Sequence, residues 1–308
     1  MIVTVTPNPA MDESYATDEF KPGRWHRARS VVCSPGGRGV NVSIILKQLG
    51  YDSVSTGFLA GHTGGYIRDK LLSWGITANF VNIKGRNSTN TFIRDASGAE
   101  TAVTEEGPAV SSDALKRFFW NMERLMPRAT AVQMGGDLPP GVPDTFYRDV
   151  IDIVKRKNVP VYIDASGTAL DLAVEALPTV VKIDRRSGDS GRNVTPPAMD
   201  HLMETAKRIF DEGVDCIIAS HSDKSNLFCT TKGFYLAEIK PENPVTYRAA
   251  GDALMAGMMA AREERMSMED TMRFGMSCVI QTVSCPRKGL PSRAAVESTL
   301  GGVTIRKV

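Results

Sequence analysis

Short apolar segments alternate along most of this chain with helical segments, and this alternation restricts its fold more than any other feature. The runs MIVTVT, AVQMGG, VPVYIDAS, TVVKID and CIIAS are short and apolar, as expected of strands covered on both faces. Three other runs, NVSIILKQLGY, PDTFYRDVIDIVKRKN and AMDHLMETAKRIFDEG, space their apolar residues three and four apart, with Gly50 and Gly213 as C-terminal stops. This pattern predicts an α/β fold with a doubly wound, mainly parallel sheet.

Two polar, strand-like segments interrupt the alternation, at residues 13–33 and at about 80–107. The second contains NSTNTFIRDASGAETAVTEEG, in which residues 96–98 are typical of a hairpin turn. We expect these segments to form a small β-sheet lid beside the main sheet. A chain of 308 residues could form one large α/β domain or two smaller ones. We predict a single domain over residues 1–308, with the lid inserted into it.

Charge and composition favour a cytoplasmic protein that binds neither nucleic acid nor membranes. The net charge is +2, from 37 basic and 35 acidic residues, which gives no strong attraction to either partner. The opening MIVTVTPNPAMD is typical of a strand and unlike a signal peptide, and no apolar run approaches the ~20 residues of a membrane span. The five cysteines are scattered without a CxxC pair and the four histidines are dispersed, so neither a disulfide framework nor a structural zinc site is expected.

A glycine-rich stretch, SPGGRGVNVSIILKQLG, precedes a helix predicted to begin near Val40. Gly36 and Gly37 would allow the backbone to approach a ligand closely. Arg38 can donate a forked pair of hydrogen bonds, and Asn41 can both donate and accept. The alternative is a turn that serves only tight packing of a strand on a helix.

The loop GGDLPPGVPDTFY, residues 135–147, follows an apolar strand. It therefore lies at the carboxyl end of that strand, where open α/β sheets bind their ligands. The alternative is a rigid connection to a helix beginning near Pro143.

The run TYRAAGDALMAGMM, residues 246–259, predicts a helix that starts around Asp252. Free amides at a helix N-terminus can hold a phosphoryl group, and an aspartate there can accept the proton of an attacking hydroxyl. The alternative is that Asp252 only caps the helix, because aspartate is among the best capping residues.

Together these stretches resemble the PfkB/ribokinase family of carbohydrate kinases, in particular its 1-phosphofructokinase and tagatose-6-phosphate kinase branch. The resemblance runs through nearly the whole chain in order, in TPNPAMDESY, PGGRGVNVSIILKQLG, GFLAGHTGGYI, GGDLPPGVPDTFY, YIDASGTAL and AAGDALMAG. It implies a ribokinase-like fold with a Rossmann-like core, a small β lid that often also forms a dimer contact, and an active site between them.

The resemblance also implies site residues, with ATP and Mg²⁺ as the source of the phosphoryl group and a small-molecule sugar or phosphosugar as the acceptor. Asp252 would be the catalytic base. Ala249, Ala250 and Gly251 would supply the anion hole. Sugar hydroxyls would be held by Asp12 and Asn41, with Gly36, Gly37 and Arg38 nearby.

The chain departs from the family pattern at the phosphate and nucleotide sites. Ala249 replaces a glycine, which would cost roughly 1 kcal/mol if that residue needs a positive φ. Arg248 replaces a small apolar residue, and it would either clamp phosphate or face solvent. The family's Lys-Pro-Asn-x-x-Glu run reads KIDRRSG, and its Ser-x-Gly-x-x-Gly loop reads SHSDKSN. Lys182 and Ser220 are retained, while Asp184, Ser187, Ser222 and Ser225 are replacements, and Asp189 is a candidate to bind the metal through water.

The acceptor site changes in charge. By ungapped placement, Ser88 and Asp137 stand where the phosphosugar branch has an arginine and a serine that bind the acceptor's phosphate. Two unit charges ~4 Å apart interact by about 4 kcal/mol at an effective dielectric near 20. The site would therefore prefer a neutral polyol unless Arg38, Arg86 or Arg94 compensates for the new carboxylate.

Two functions remain open from the sequence. The first is an ATP-dependent kinase of a sugar or phosphosugar, whose acceptor could be unphosphorylated. The alternative is a catalytically impaired sugar- or nucleotide-binding or regulatory protein built on a kinase fold, which the altered nucleotide motifs favour.

Overall fold

The computed structural model describes residues 1–184, 197–242, 244–285 and 288–308. In chain order its strands are β1 Ile2–Thr6, β2 Ala10–Ala16, β3 Ser30–Gly36, β4 Ser53–Ala60, β5 Thr77–Ile83, β6 Thr89–Arg94, β7 Glu100–Val103, β8 Ala131–Gly135, β9 Val161–Asp164, β10 Val180–Asp184, β11 Cys216–Ser222, β12 Ser225–Thr230, β13 Gly233–Ile239 and β14 Val303–Lys307. Its α-helices are α1 Arg38–Gln48, α2 Gly61–Ser73, α3 Ser112–Leu125, α4 Phe146–Lys155, α5 Gly167–Glu175, α6 Met199–Asp211, α7 Ala250–Glu263, α8 Met268–Ser284 and α9 Arg293–Ser298.

The main sheet has ten strands in the order β14-β13-β12-β11-β10-β9-β8-β1-β4-β5. The seven from β11 to β5 pair in parallel, and β12, β13 and β14 add an antiparallel edge. Helices cover both faces: α3 to α6 pack through one apolar cluster, and α1, α7, α8 and α9 pack through another. The predicted doubly wound, mainly parallel α/β fold is confirmed. All five residues of β1 and of β8 are buried, and apart from Gln133 in β8 they are apolar or small.

The predicted helices are present, but their first residues differ by a few positions. The helix expected near Val40 begins at Arg38, the one expected near Pro143 begins at Phe146, and the one expected around Asp252 begins at Ala250. Gly50 and Gly213 have φ values of 93° and 115°, the left-handed conformation expected of a residue that ends a helix.

A second sheet of four strands, in the order β3-β2-β6-β7, lies in the two segments that interrupt the alternation. Hydrogen bonds within residues 95–99 form the expected hairpin turn between β6 and β7. The predicted start of the second segment, residue 80, is wrong, because β5 pairs in parallel with β4 in the main sheet. As an edge strand, β5 is only partly buried, so its sequence TANFVNI is as polar as that of the small sheet. Strands β2 and β3 also extend beyond residues 13–33, to Ala10 and Gly36.

Across the described ranges of the chain, no helix combines the length and the apolar character that a membrane crossing requires.

Candidate active site

The N-termini of α1 and α7 meet at the carboxyl ends of the central parallel strands, next to the small sheet. Strand β3 ends at Gly36, and Gly37 caps α1 with a φ of 108°. The site therefore lies at the switch point between β1 and β8, where the order of successive strands reverses and where open α/β sheets bind ligands.

Asp252 and Asn41 form the contact between these two helices. Asn41 Nδ2 donates to Asp252 Oδ2 at 2.8 Å, and both side chains are buried. The other carboxylate oxygen of Asp252, Oδ1, and the amide oxygen of Asn41, Oδ1, are buried without a hydrogen-bond partner among the described residues. Two unpaired buried acceptors beside each other suit a ligand that brings hydrogen-bond donors, such as a hydroxyl group.

The environment of Asp252 raises the pKa of its carboxyl group to about 6. Burial is the largest cause. The charge of Arg38 lowers the pKa, and the neighbouring carboxylate of Asp164 raises it. The hydrogen bond from Asn41 and the charge of Lys182 also lower it. A carboxylate with a pKa near neutrality can take a proton and later release it.

Asp164, which the sequence analysis placed in a motif without a role, lies between two cations of the site. Its Oδ2 accepts from Arg38 Nη1 at 2.9 Å and lies 3.3 Å from Lys182 Nζ. This carboxylate is the main reason that the pKa of Arg38 is raised. The sequence carried one signal for Asp164: it is a charged residue at the carboxyl end of the apolar run VPVYIDAS.

The turn before α7 holds the three residues predicted to form an anion hole. Ala249 adopts a left-handed conformation with φ 60° and ψ 9°. In this conformation its Cβ costs roughly 1 kcal/mol relative to glycine. Ala250 and Gly251 follow in the first helical turn, where amides have no acceptor within the helix. The Ala250 amide donates instead to the Tyr247 carbonyl oxygen at 3.3 Å. A Cβ at Gly251 would lie 2.9 Å from Lys182 Cε, so glycine is what allows the lysine to lie against the helix N-terminus.

Asp12 extends from β2 of the small sheet into the same region. A Cβ built at Gly36 would lie 2.6 Å from each of the three carboxyl atoms of Asp12, which explains the glycine. Asn90 Nδ2 donates to Asp12 Oδ1 at 2.8 Å, and Lys288 forms an ion pair with Oδ2. The sequence analysis missed Lys288, because it lies far from every recognised motif in the chain.

Ser88 and Asp137, the two residues predicted to lie at the acceptor's phosphate, differ in burial. Ser88 is buried just before β6, and its carbonyl oxygen accepts from the amide of Met11. Asp137 is exposed after β8, and its charge acts on Arg38. Arg86, one of the cations considered as compensation, pairs with Glu105 at 2.8 Å.

The candidate nucleotide residues divide into two groups. Lys182 joins the cluster around Asp164, and Asp184 is exposed at the end of β10. Ser220 and Ser222 instead bond to the neighbouring strand, Ser220 to Asn226 at 3.3 Å and Ser222 to Ser225 at 2.6 Å. The run SHSDKSN thus forms a tight hairpin between β11 and β12 rather than an open loop. Ser187 and Asp189 lie outside the described residues.

Arg248 does not face solvent, because its side chain is only 21% exposed. Its guanidinium contacts the small sheet, where both terminal nitrogens lie 3.1 Å from Ser14 Oγ and Nε lies 3.5 Å from Glu100. A small apolar residue at this position could make none of these polar contacts.

The donor set fits a phosphate group better than an all-protein metal site. Lys182 lies beside Gly251 at the N-terminus of α7, and a cation next to a helix N-terminus favours binding of an anion. Among residues 1–184, 197–242, 244–285 and 288–308, no group of three or more His, Cys, Asp or Glu side chains is arranged to hold a metal ion. Mg²⁺ needs few protein ligands when phosphates and water supply the rest.

Comparisons with known proteins agree with this architecture. The model of the pfkB family of carbohydrate kinases matches residues 8–293. The chain is 28% identical over 277 residues to a 1-phosphofructokinase from Bacillus subtilis, covering 90% of both chains.

Solved structures give the same result. A possible 1-phosphofructokinase from Thermotoga maritima superposes with a TM-score of 0.91 at 27% identity, over 100% of this chain and 99% of that one. Phosphofructokinase-2 from Escherichia coli, solved with fructose-6-phosphate, gives 0.84 at 21% identity over 97% and 98% of the two chains, which shows the shared fold. The chain belongs to the pfkB family of carbohydrate kinases, which are phosphotransferases that use an alcohol group as acceptor.

Proposed function

We propose that this protein is an ATP-dependent kinase that transfers the γ-phosphoryl group to a hydroxyl of a sugar or phosphosugar, as a 1-phosphofructokinase does, with Asp252 as the catalytic base. One observation carries the proposal. A buried carboxylate with an unpaired oxygen and a pKa near 6 lies in the first turn of a helix whose amides and neighbouring lysine suit a phosphate.

The proposed role of Asp252 is to accept the proton of the attacking hydroxyl. Asn41 holds one carboxylate oxygen and leaves the other without a protein partner. A hydroxyl that donates to the second oxygen would point its own oxygen towards the N-terminus of α7. Asn41 Oδ1, also unpaired, would accept a second hydroxyl of the acceptor.

Bound MgATP would supply the phosphoryl group, with Asp184 near the metal and Ser220 and Ser222 near the nucleotide. The residues of the chain would stabilise the charge that spreads over the phosphoryl oxygens during transfer. The proposed contributors are the Gly251 amide and the ammonium of Lys182, which lies beside Gly251 and is already held by Asp164. The Ala250 amide donates to the Tyr247 carbonyl oxygen at 3.3 Å and would have to exchange that partner for the phosphoryl group.

For the acceptor, we infer that the small sheet supplies Asp12 as a ligand for hydroxyl groups and closes over the substrate as a lid. Lys288, whose pKa burial lowers to about 7, pairs with Asp12. Arg38, whose main partner is Asp164, also attracts Asp137, so an acceptor phosphate would meet less repulsion than the ungapped comparison suggests. A phosphosugar is therefore the favoured acceptor class, with an unphosphorylated sugar as the alternative.

The test combines an acceptor screen with Asp252→Asn. Phosphoryl transfer from ATP would be measured across sugars, phosphosugars and nucleosides, and the variant should lose about 10²–10⁴-fold in kcat. Because burial raises the pKa of Asp252 in the folded state, its ionised form costs stability as the pH rises from about 4 to about 6. At pH 7 the variant should therefore have a higher melting temperature and a free energy of unfolding larger by about 1–3 kcal/mol. Near-normal turnover in Asp252→Asn would exclude this residue as the base.

A second candidate function, nucleotide-free sugar binding, is favoured by the hairpin at Ser222 and Ser225, whose side chains bond to each other. A thermal-shift titration with MgATP separates the two functions. Stabilisation at millimolar nucleotide supports the kinase, and an unchanged melting temperature supports a binding or regulatory protein.

We further propose a homodimer formed through the small sheet. Val31, Val32 and Val103 on this sheet are 51%, 40% and 59% exposed, and Trp25 in the β2–β3 connection is fully exposed. The register places Val31 and Val103 on the same face of the sheet, in its two edge strands, and exposed apolar side chains on one face favour a protein contact. Light scattering would detect a dimer, and Val103→Lys with Val31→Lys should convert it to a monomer.

A further inference from the structure

We propose that Arg248 is a positioning residue that fastens the small sheet to the turn before α7 and so sets the separation between Asp12 and Asp252. The inference rests on the proposed function, because these two carboxylates would hold the same acceptor molecule from opposite sides.

One side chain contacts three strands of the small sheet. Both terminal nitrogens of Arg248 donate to Ser14 Oγ in β2, at 3.1 Å each. Its Nε lies 3.5 Å from Glu100 Oε1 in β7, and its Cζ lies 4.0 Å from the centre of the Phe92 ring in β6. The guanidinium thus combines hydrogen bonds, an ion pair and a cation–π contact.

The strand register places these contacts directly beside Asp12, the proposed ligand of the sugar. Asp12 pairs with Asn90, and Ser14 pairs with Phe92 two residues further along the same two strands. Side chains two residues apart lie on one face of a sheet, so all four share the face that Arg248 contacts. The Asp12–Asn90 hydrogen bond and the Arg248 contacts therefore occupy adjacent pairs of residues on this face.

The other end of the connection is the anion-hole turn. The Arg248 amide donates to Thr246 Oγ1 at 3.2 Å, and Ala249 follows in its left-handed conformation. Asp252 lies one helical turn further on. A displacement of the small sheet relative to this turn would stretch the contacts of Arg248 at the same time as it moved Asp12 away from Asp252.

Burial and geometry make this contact stronger than an ordinary surface pair. The side chains of Arg248 and Glu100 are only 21% and 15% exposed, so solvent screens their attraction weakly. The planar fork of arginine reaches the Ser14 hydroxyl with two nitrogens while it stacks on a ring, which a lysine ammonium cannot do. Lysine at this position should therefore restore only part of the effect.

The experiment uses Arg248→Leu, Arg248→Lys and Glu100→Gln in the full chain. Arg248→Leu should raise the KM for the acceptor and lower kcat, together about 10–100-fold in kcat/KM, while the KM for ATP changes little. Arg248→Lys and Glu100→Gln should give intermediate losses. Hydrogen exchange of the β2 and β6 amides should accelerate in Arg248→Leu, while exchange in β1 and β8 of the main sheet stays unchanged.

Arg293→Leu is the matched control. Arg293 also lies over a phenylalanine, at 5.7 Å from the Phe274 ring, and also pairs with a glutamate, Glu264, but it contacts neither carboxylate of the site. Its loss should lower the melting temperature without changing kcat/KM or exchange in β2 and β6.

A role in stability alone would appear as a lower melting temperature for Arg248→Leu with normal kcat/KM and normal exchange in β2 and β6, and this result would overturn the proposal. Identical behaviour of Arg248→Leu and Arg293→Leu would do the same. If no variant, including the unmodified chain, transfers phosphate, the proposed function fails, while the exchange measurement still decides whether Arg248 holds the small sheet.

Discussion

The proposed acceptor half and the proposed nucleotide half of the site are built in different ways. Around the acceptor, contacts join residues far apart in the chain: Asn41 with Asp252, 211 residues apart, and Arg38 with Asp164, 126 apart. Around the nucleotide loop, the contacts are local, between Ser220 and Asn226, six residues apart, and between Ser222 and Ser225, three apart.

This difference suggests which half of the site is preorganised. Long-range contacts exist only when the whole domain is folded, and they fix the carboxylates relative to the helix amides before a substrate arrives. The hairpin contacts would form in almost any context that pairs β11 with β12. Substitutions on the acceptor side should therefore have large effects on transfer, and substitutions in the hairpin should have small ones.

The largest effect is expected from Gly36→Ala. The added Cβ would lie 2.6 Å from the carboxyl atoms of Asp12, so this side chain must move out of position. We expect kcat/KM for the acceptor to fall at least about 100-fold with little change in the KM for ATP. Gly65→Ala in α2 is the control, because its Cβ would have no neighbour within 4 Å. Equal activity of the two variants would refute the close packing of Asp12 on Gly36.

The pH dependence of turnover should show the environment of Asp252. The pKa of its carboxyl is raised to about 6, and the base must be ionised to accept a proton. We expect kcat/KM to fall about tenfold for each pH unit below about 6. Because Arg38 lowers this pKa, Arg38→Met should move the acid limb of the profile to higher pH. An acid limb that stays in place in this variant would contradict the electrostatic coupling of the two residues.

The charge at Asp137 should tune the choice of acceptor more modestly. This carboxylate is exposed, so its effect on a bound phosphate is screened by solvent. Asp137→Ser should raise kcat/KM for phosphosugars relative to neutral sugars by several-fold, up to about tenfold. Competition assays with paired acceptors would measure this ratio. An unchanged ratio would remove Asp137 from the acceptor site, and Asp144→Ser, further along the same loop, serves as the control.

Substitutions in the β11–β12 hairpin should have little effect on phosphoryl transfer. Replacing Ser222 and Ser225 together by glycine removes the 2.6 Å contact between their hydroxyls but leaves the acceptor side unchanged. We expect only a few-fold change in the KM for ATP, since one neutral hydrogen bond contributes about 1 kcal/mol. A large change in the KM for the acceptor would break the distinction between the two halves.

The smallest effect is expected at Ala249, whose φ of 60° suits glycine better. Ala249→Gly should stabilise the fold by up to about 1 kcal/mol, measured by urea denaturation. Leu177, with a φ of 54°, is a matched position remote from the turn, and Leu177→Gly tests whether the gain is general. Loss of stability in Ala249→Gly alone would indicate that the methyl group has a packing role.

Much of the fold followed from patterns within single segments. Continuous apolar runs predicted the central strands, and glycines such as Gly50 and Gly213 predicted helix ends, because burial on both faces and left-handed caps leave a local record. The position of β5 was mispredicted because an edge strand, half exposed, resembles the strands of a small solvated sheet. The resemblance to a family identified Asp12, Asn41 and Asp252, and the structure brings all three to one region.

The sequence by itself determined the alternating α/β architecture, the two glycine-rich helix starts and the carboxylate at the start of α7. Only the tertiary structure decided that Asp164 lies between Arg38 and Lys182, that Lys288 reaches Asp12, and that Arg248 contacts the small sheet. Backbone conformation and burial leave periodic signals within a few residues. An ion pair between distant segments leaves none, because its partners are chosen by the packing of elements whose separation along the chain carries no information about their distance in space.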